Sequence, residues 1–245
     1  FQNTLTRAFI VMVDSEELAD KINSRYGVDR DRIVNMPFSP SPFLKETQVS
    51  DSANILKLYK LDYGYYFYPA QFWAHKNHFR IIEAVKLLHQ EDTQCRVVFV
   101  GRDKGNYDFL DRLIRGYGLS KHIKSLGFIP AEHMRVLYEN CQAVIIPTYF
   151  GSTNLPPLEA WFLGKPLIYS KLFSEQAGNA ALFIDPDDAN SIAYAMKSML
   201  DETISDKFIK NGFKRLQEIT IIKKKAEEQL ISRIIQFEKK RQCWN

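Results

Sequence analysis

Pro147–Pro166 reads PTYFGSTNLPPLEAWFLGKP. It divides into a loop rich in Gly, Ser, Thr and Asn, a Pro-Pro step, and a short helix expected over residues 157–163 and stopped by Gly164. An apolar strand, Ala143 to Ile146, leads into it, so the stretch is a strand–loop–helix turn. Small residues let backbone N–H groups approach a ligand closely, and Pro-Pro launches a helix whose N-terminal end is partly positive. Glu159, expected in the first turn of that helix, offers a carboxylate that can accept hydrogen bonds from a diol such as a ribose. The combination points to a nucleotide-sugar site.

Outward from this turn the same rhythm repeats. Apolar strands are expected at Tyr65 to Tyr68, Arg96 to Val100, His122 to Leu126, Leu167 to Tyr169 and Leu182 to Ile184. Between them lie helices over residues 77–90, 107–117 and 132–140, and another follows from about Asn190 to Leu200. Leu110, Leu113, Ile114 and Tyr117 repeat at i, i+3, i+4, i+7, the spacing of one helical face. Earlier, Ala8 to Val13 and Arg32 to Asn35 read as short strands around the capped helix EELADKI, and residues 203–241 read as charged helix. Residues 41–60 carry little pattern and read as an excursion or linker.

Short apolar strands alternating with amphipathic helices predict an α/β fold: a Rossmann-like, mostly parallel sheet with helices on both faces, plus C-terminal helices. Ligands of such sheets bind at the carboxyl ends of the strands. The informative loops are therefore those after Tyr68, Val100, Leu126, Ile146 and Tyr169.

Composition sets the outer bounds. The chain has 245 residues, 45% hydrophobic and 25% charged, enough for one large α/β domain or two small ones. Seventeen Phe and twelve Tyr imply a bulky core. A net charge of +4 suits phosphate-bearing ligands or an anionic membrane surface, and does not by itself indicate nucleic acid. Cys95, Cys141 and Cys243 lie far apart without CxxC spacing, as reduced thiols of a cytosolic protein would. No apolar run approaches the ~20 residues of a membrane span, and no signal peptide is expected before the fold.

The loop PAQFWAHKNH places Lys76 just before a helix start, where an ammonium group and free N–H groups could meet one diphosphate. His75 and His78 flank it without a third ligand at zinc spacing. The loop GRDKGNYD reads either as a turn before a capped helix or as a place where Gly101 or Arg102 touches the ligand. It matches neither GxGxxG nor a P-loop. The short loop GFIP could hold a flat base through backbone groups. Asp185-Pro-Asp187 reads as a helix cap better than as a metal-binding pair. Lys223–Lys225 and Lys239–Arg241 read as a solvated helical face, with adhesion to an anionic membrane as the second reading.

Taken together, VDSEELADKI, RIVNMPFSP, YYFYPAQFWAHKNHFRIIEAVKLL, RVVFVGRD, SLGFIPAEHMRVLYENCQAVIIPT and LPPLEAWFLGKPLIYS resemble, in order and spacing, the C-terminal donor-binding domain of a GT-B glycosyltransferase of the retaining family 4 (group 1). The resemblance runs from about Asp14 to Asp201. It implies that Lys76 binds the donor diphosphate and that Glu159, the second glutamate of an E-x7-E motif, holds the ribose hydroxyls. It implies that backbone N–H groups around Ser152, Thr153, Asn154 and Leu155 contact sugar and phosphate, and that Ile129 or its neighbours meet the base.

It also implies a UDP- or GDP-sugar donor, a polysaccharide or lipid-linked glycan acceptor, no cofactor, no metal, no nucleic-acid partner, and a cytoplasmic location or the cytoplasmic face of the membrane. Residues 1–60 would lead in from an N-terminal acceptor domain, 61–201 would bind the donor, and 202–245 would form the C-terminal helices. With room for one such domain, the chain reads as a truncated, proteolysed or split protein that binds donor nucleotide but transfers poorly alone.

Two positions depart from the pattern. Gly151 stands eight residues before Glu159, where the family has its first glutamate, and neutral Gln71 stands five before Lys76, where a basic residue is expected. A charge-assisted phosphate contact, roughly twice as strong as a neutral one, is thereby lost at position 71. Either the site has rebuilt its contacts through Ser152, Thr153 and Asn154, or donor handling is altered. A non-catalytic nucleotide-sugar-binding module is the alternative function.

Overall fold

A computed structural model describes residues 2–46, 52–151 and 154–242. The chain groups into two compact units, Phe1–Ser39 with Leu216–Asn245, and Pro40–Arg215. The first begins with α1 (Gln2–Arg7), β1 (Val11–Val13), α2 (Glu16–Tyr26) and β2 (Ile33–Asn35). Ser15 caps α2 by accepting the Leu18 N–H, and Gly27, left-handed at φ 66°, ends it. β1 and β2 pair in parallel around a small core of Val11, Val13, Ala19, Ile22, Val28 and Ile33.

The second unit opens with α3 (Phe43–Glu46) and α4 (Ser52–Leu58), where the sequence reads as linker. Then come β3 (Tyr65–Pro69), α5 (His78–Gln90), β4 (Val97–Val100), α6 (Tyr107–Gly116), β5 (Ile123–Ser125), α7 (Ala131–Glu139) and β6 (Cys141–Ile146). The series ends with α8 (Leu155–Phe162), β7 (Leu167–Ser170), α9 (Ser174–Ala177), β8 (Leu182–Ile184), α10 (Ala189–Ser198) and α11 (Glu202–Gln242). From Leu216 onward α11 belongs to the first unit. The expected α/β architecture is present: a six-stranded, wholly parallel sheet in the order β5-β4-β3-β6-β7-β8.

The aromatic richness has its explanation in β3. Tyr65, Tyr66, Phe67 and Tyr68 are all buried because helices cover both faces. Each tyrosine hydroxyl must then find an internal acceptor. Tyr65 donates to the Leu137 carbonyl at 2.8 Å in α7, Tyr66 to the Met196 carbonyl in α10, and Tyr68 to the Lys76 carbonyl at 2.7 Å.

Three local readings change. α3 and α4 exist because they dock on α7: Leu44 and Leu56 are buried, Arg135 donates to the Leu44 carbonyl at 2.8 Å, and the Tyr59 hydroxyl lies 2.6 Å from His133 Nδ1. α8 starts at Leu155, so both prolines lie inside it and Glu159 falls beyond its first turn. The cap of α10 is Asp188, which accepts the Asn190 N–H at 2.9 Å. Asp185 instead accepts from Asp187 N and Lys171, and Asp187 from the Tyr149 hydroxyl.

Cys95 and Cys141 are free and buried, and burial pushes their thiols up to about 11 and about 12. Cys243 lies outside the described residues. Among the described residues no helix is long and apolar enough to cross a membrane, and no group of three or more His, Cys, Asp or Glu could hold a metal ion.

Candidate functional site

The strand order reverses between β3 and β6, since β4 and β5 lie to one side and β7 and β8 to the other. Sheets of this kind bind ligands at such a reversal, in the crevice outside the carboxyl ends of the two central strands. The loop after β3 and the loop after β6 are tied together across it. Tyr149 N–H donates to the His75 carbonyl at 3.0 Å, and Thr148 Oγ1 donates to the same carbonyl at 3.3 Å. Asn77, buried and left-handed at φ 60°, donates through Nδ2 to the carbonyls of Pro147 and Pro186 at 3.0 and 2.8 Å.

These ties deliver Lys76 to the crevice at the end of the 3-10 turn Ala74–Lys76. Its Nζ lies 3.4 Å from Asn154 Oδ1, and partial burial lowers its pKa from the usual lysine value. Asn154 is itself locked. Its Nδ2 donates to the Tyr169 hydroxyl at 2.8 Å, that hydroxyl donates to Gln176 Oε1 at 2.7 Å, and Gln176 Nε2 donates back to the Asn154 carbonyl at 2.8 Å. α8 has no side-chain cap, and with Pro156 and Pro157 lacking N–H groups, Leu155 carries the only backbone donor of its first three positions.

Gly151 sits beside Asn154 with φ 144°, and a Cβ there would lie 3.0 Å from Asn154 Oδ1. Ser152 and Thr153 lie outside the described residues. The structure thus joins Lys76, Gly151 and Asn154 directly. Glu159 has other partners: the residue is 6% exposed, Oε2 accepts from the Tyr138 hydroxyl at 2.5 Å, and Oε1 accepts from the Ser41 hydroxyl.

Gly101 fulfils a backbone role. A Cβ at this position would come within 2.2 Å of the Ala70 carbonyl oxygen, while its N–H donates to the Gly127 carbonyl at 2.9 Å. Phe72 N–H donates to the Arg102 carbonyl at 3.0 Å, so the loops after β3, β4 and β5 are laced side by side. The Arg102 guanidinium lies 4.3 Å over the Phe128 ring. Phe128 is 67% exposed and Ile129 is buried, so the flat surface in this loop belongs to the phenylalanine. Gln71 is exposed, and its Oε1 accepts the Trp73 indole N–H at 3.2 Å.

Residues 57–215, more than half of the chain, match the family described as glycosyl transferases group 1. The chain belongs to the group 1 glycosyltransferase family. O-antigen chain mannosyltransferase B of Escherichia coli is 27% identical over 206 residues, which cover 82% of this chain and 54% of that protein. O-antigen chain mannosyltransferase RfbU of Salmonella typhimurium is 23% identical over 193 residues, covering 77% and 50%. The chain spans about half the length of these curated relatives.

Among solved structures, sucrose-phosphate synthase from Thermosynechococcus elongatus superposes with a TM-score of 0.77 at 22% identity, over 96% of this chain and 60% of that one. The Anabaena protein HepE in complex with UDP-glucose gives 0.77 at 18%, over 94% and 66%. Their likeness is one of fold.

Several residues that build the site in this group 1 chain carry no flag in the sequence. Tyr138 reads as one more apolar position of an amphipathic helix, and Ser41 lies in the patternless SPSP segment. Tyr169 and Gln176 reach Asn154 from β7 and from α9. Only a signal that pairs distant positions could have found them.

Proposed function

We propose that the chain is the donor-binding part of a retaining, family 4 glycosyltransferase. It would transfer a hexose from a UDP- or GDP-sugar to a polysaccharide or lipid-linked glycan. The observation that carries the reading is Lys76, held on Asn154 at the switch point of a parallel sheet in a group 1 chain. The names of the O-antigen mannosyltransferases and the UDP-glucose bound by HepE favour a nucleotide-sugar donor and a glycan acceptor.

In this reading the bond from the anomeric carbon to the diphosphate oxygen breaks with its electron pair leaving on the diphosphate. The acceptor hydroxyl forms the new bond on the same face and gives its proton to the departing diphosphate. Lys76 and the Leu155 N–H at the start of α8 stabilise that leaving charge, so no metal is required. The Glu159 carboxylate accepts from ribose hydroxyls in place of the Ser41 hydroxyl, while Tyr138 holds its other oxygen. Gly101, Arg102 and the Phe128–Ile129 loop border the base. We place the protein in the cytoplasm, with the lysine-rich turns of α11 able to meet anionic lipid.

Calorimetry tests the site assignment. Glu159→Ala is expected to weaken UDP or GDP binding at least tenfold, about 1.4 kcal/mol, while Asp185→Ala leaves it unchanged. Equal affinity in Glu159→Ala and the parent would sink the assignment. Gly151, in place of the family's first glutamate, favours the second reading, a non-catalytic nucleotide-sugar-binding module; sugar transfer by the full-length protein separates the two.

A further inference from the structure

The rim of the crevice carries aromatic side chains that the donor reading does not use. Trp73 and Phe150 are 43% and 69% exposed, although Phe72 and Thr148 close by in the chain are buried. His75 joins them: its ring stacks on Trp73 with centroids 6.1 Å apart and planes at 24°, and meets Phe150 edge-on at 5.8 Å. The bond from Tyr149 N–H to the His75 carbonyl fixes the two loops that present these rings. Polar groups are interleaved with them. Lys104 lies 5.7 Å over Trp73, and Gln71, whose carbonyl oxygen accepts from the indole, keeps both amide N–H donors for another partner. Lys76 follows His75 in the chain and Gly151 follows Phe150, so the strip borders the reacting end of the proposed donor site.

We propose that this strip is a stacking shelf for the acceptor glycan. Trp73 and Phe150 receive the C–H faces of neighbouring sugar rings, and Gln71 and His75 bond their hydroxyls. A pyranose has an apolar C–H face rimmed by hydroxyls, which matches aromatic faces bordered by amide, imidazole and ammonium groups. A lipid or a protein helix would call for aliphatic side chains in a continuous patch, whereas Trp73 is bordered by Gln71, His75 and Lys104. Contiguous exposed aromatics mark a binding surface. The occupant is a glycan because the strip continues the donor crevice, and in that respect the proposal rests on the donor reading.

The test uses the full-length protein and a mannose trisaccharide, followed by saturation-transfer NMR and tryptophan fluorescence, with UDP and GDP titrated separately. The parent is expected to bind the trisaccharide. Trp73→Ala/Phe150→Ala is expected to bind it about tenfold more weakly with nucleotide affinity unchanged, and Trp73→Phe/Phe150→Tyr, which keeps the rings, to bind it nearly as well as the parent. The shelf is overturned if the parent does not bind the trisaccharide, if the double alanine variant binds it equally, or if that variant loses nucleotide in proportion. Failure of the parent to bind either nucleotide strikes the donor reading and leaves the trisaccharide result to decide the shelf.

Discussion

At Gly151 the backbone has φ 144°, a region that side chains rarely adopt, and a Cβ would press on the Asn154 amide at 3.0–3.2 Å. Asn154 is the group that meets Lys76. The glycine is therefore matched to the locked asparagine, and a glutamate cannot be restored here without moving it. Gly151→Glu is expected to cost about 1–3 kcal/mol, lowering the melting temperature and weakening nucleotide binding. An unchanged melting temperature with increased transfer would show that the loop accepts the family's residue after all. Lys76 and Asn154 are each legible as ligand candidates in the sequence. That they touch, and that Tyr169 and Gln176 hold one of them, is not, because those partners come from other elements.

Among elements, α5 illustrates how packing overrides local preference. Its first residue, His78, is fully buried, with the rings of Tyr68, Phe72 and Phe99 at 4.6, 4.8 and 4.9 Å. Burial, with the nearby Lys76 charge adding to it, lowers the imidazole pKa from 6.5 to about 3. The unfolded chain then takes up a proton that the folded chain refuses. This contribution to stability is whole above pH 6.5 and is lost as pH falls toward 3, by on the order of 5 kcal/mol in full. Thermal melts from about pH 7 to pH 4 are expected to show a steep fall in the parent and a shallower one in His78→Phe, whose ring suits the aromatic surroundings. Identical slopes would remove the imidazole from the account. Helices of three turns, such as α5 and α6, were legible from their periodicity. α3, α4 and the start of α8 were not, since four to eight residues give too little repeat and their docking partners decide them.

At the scale of the whole molecule, stability is expected to differ between the two units. Phe1–Ser39 with Leu216–Asn245 has a two-stranded parallel sheet and a small core, whereas Pro40–Arg215 has six strands buried on both faces. Parallel strands depend on cover from both sides and on further strands. Hydrogen exchange is expected to open β1 and β2 at least tenfold faster than β3, β4 and β6; uniform protection would show the chain to be one cooperative block. The sequence by itself determined the alternation of strand and helix, hence the parallel sheet and the loops at its carboxyl edge, because these follow from local periodicity and turn chemistry. Only the tertiary structure decided which loops meet. The reversal of strand order sets Lys76 against Asn154, the docking of α3 and α7 brings Ser41 and Tyr138 to Glu159, and the approach of Gly101 to Ala70 aligns the neighbouring loops. Such contacts join residues far apart in the chain, and no window of sequence contains both partners.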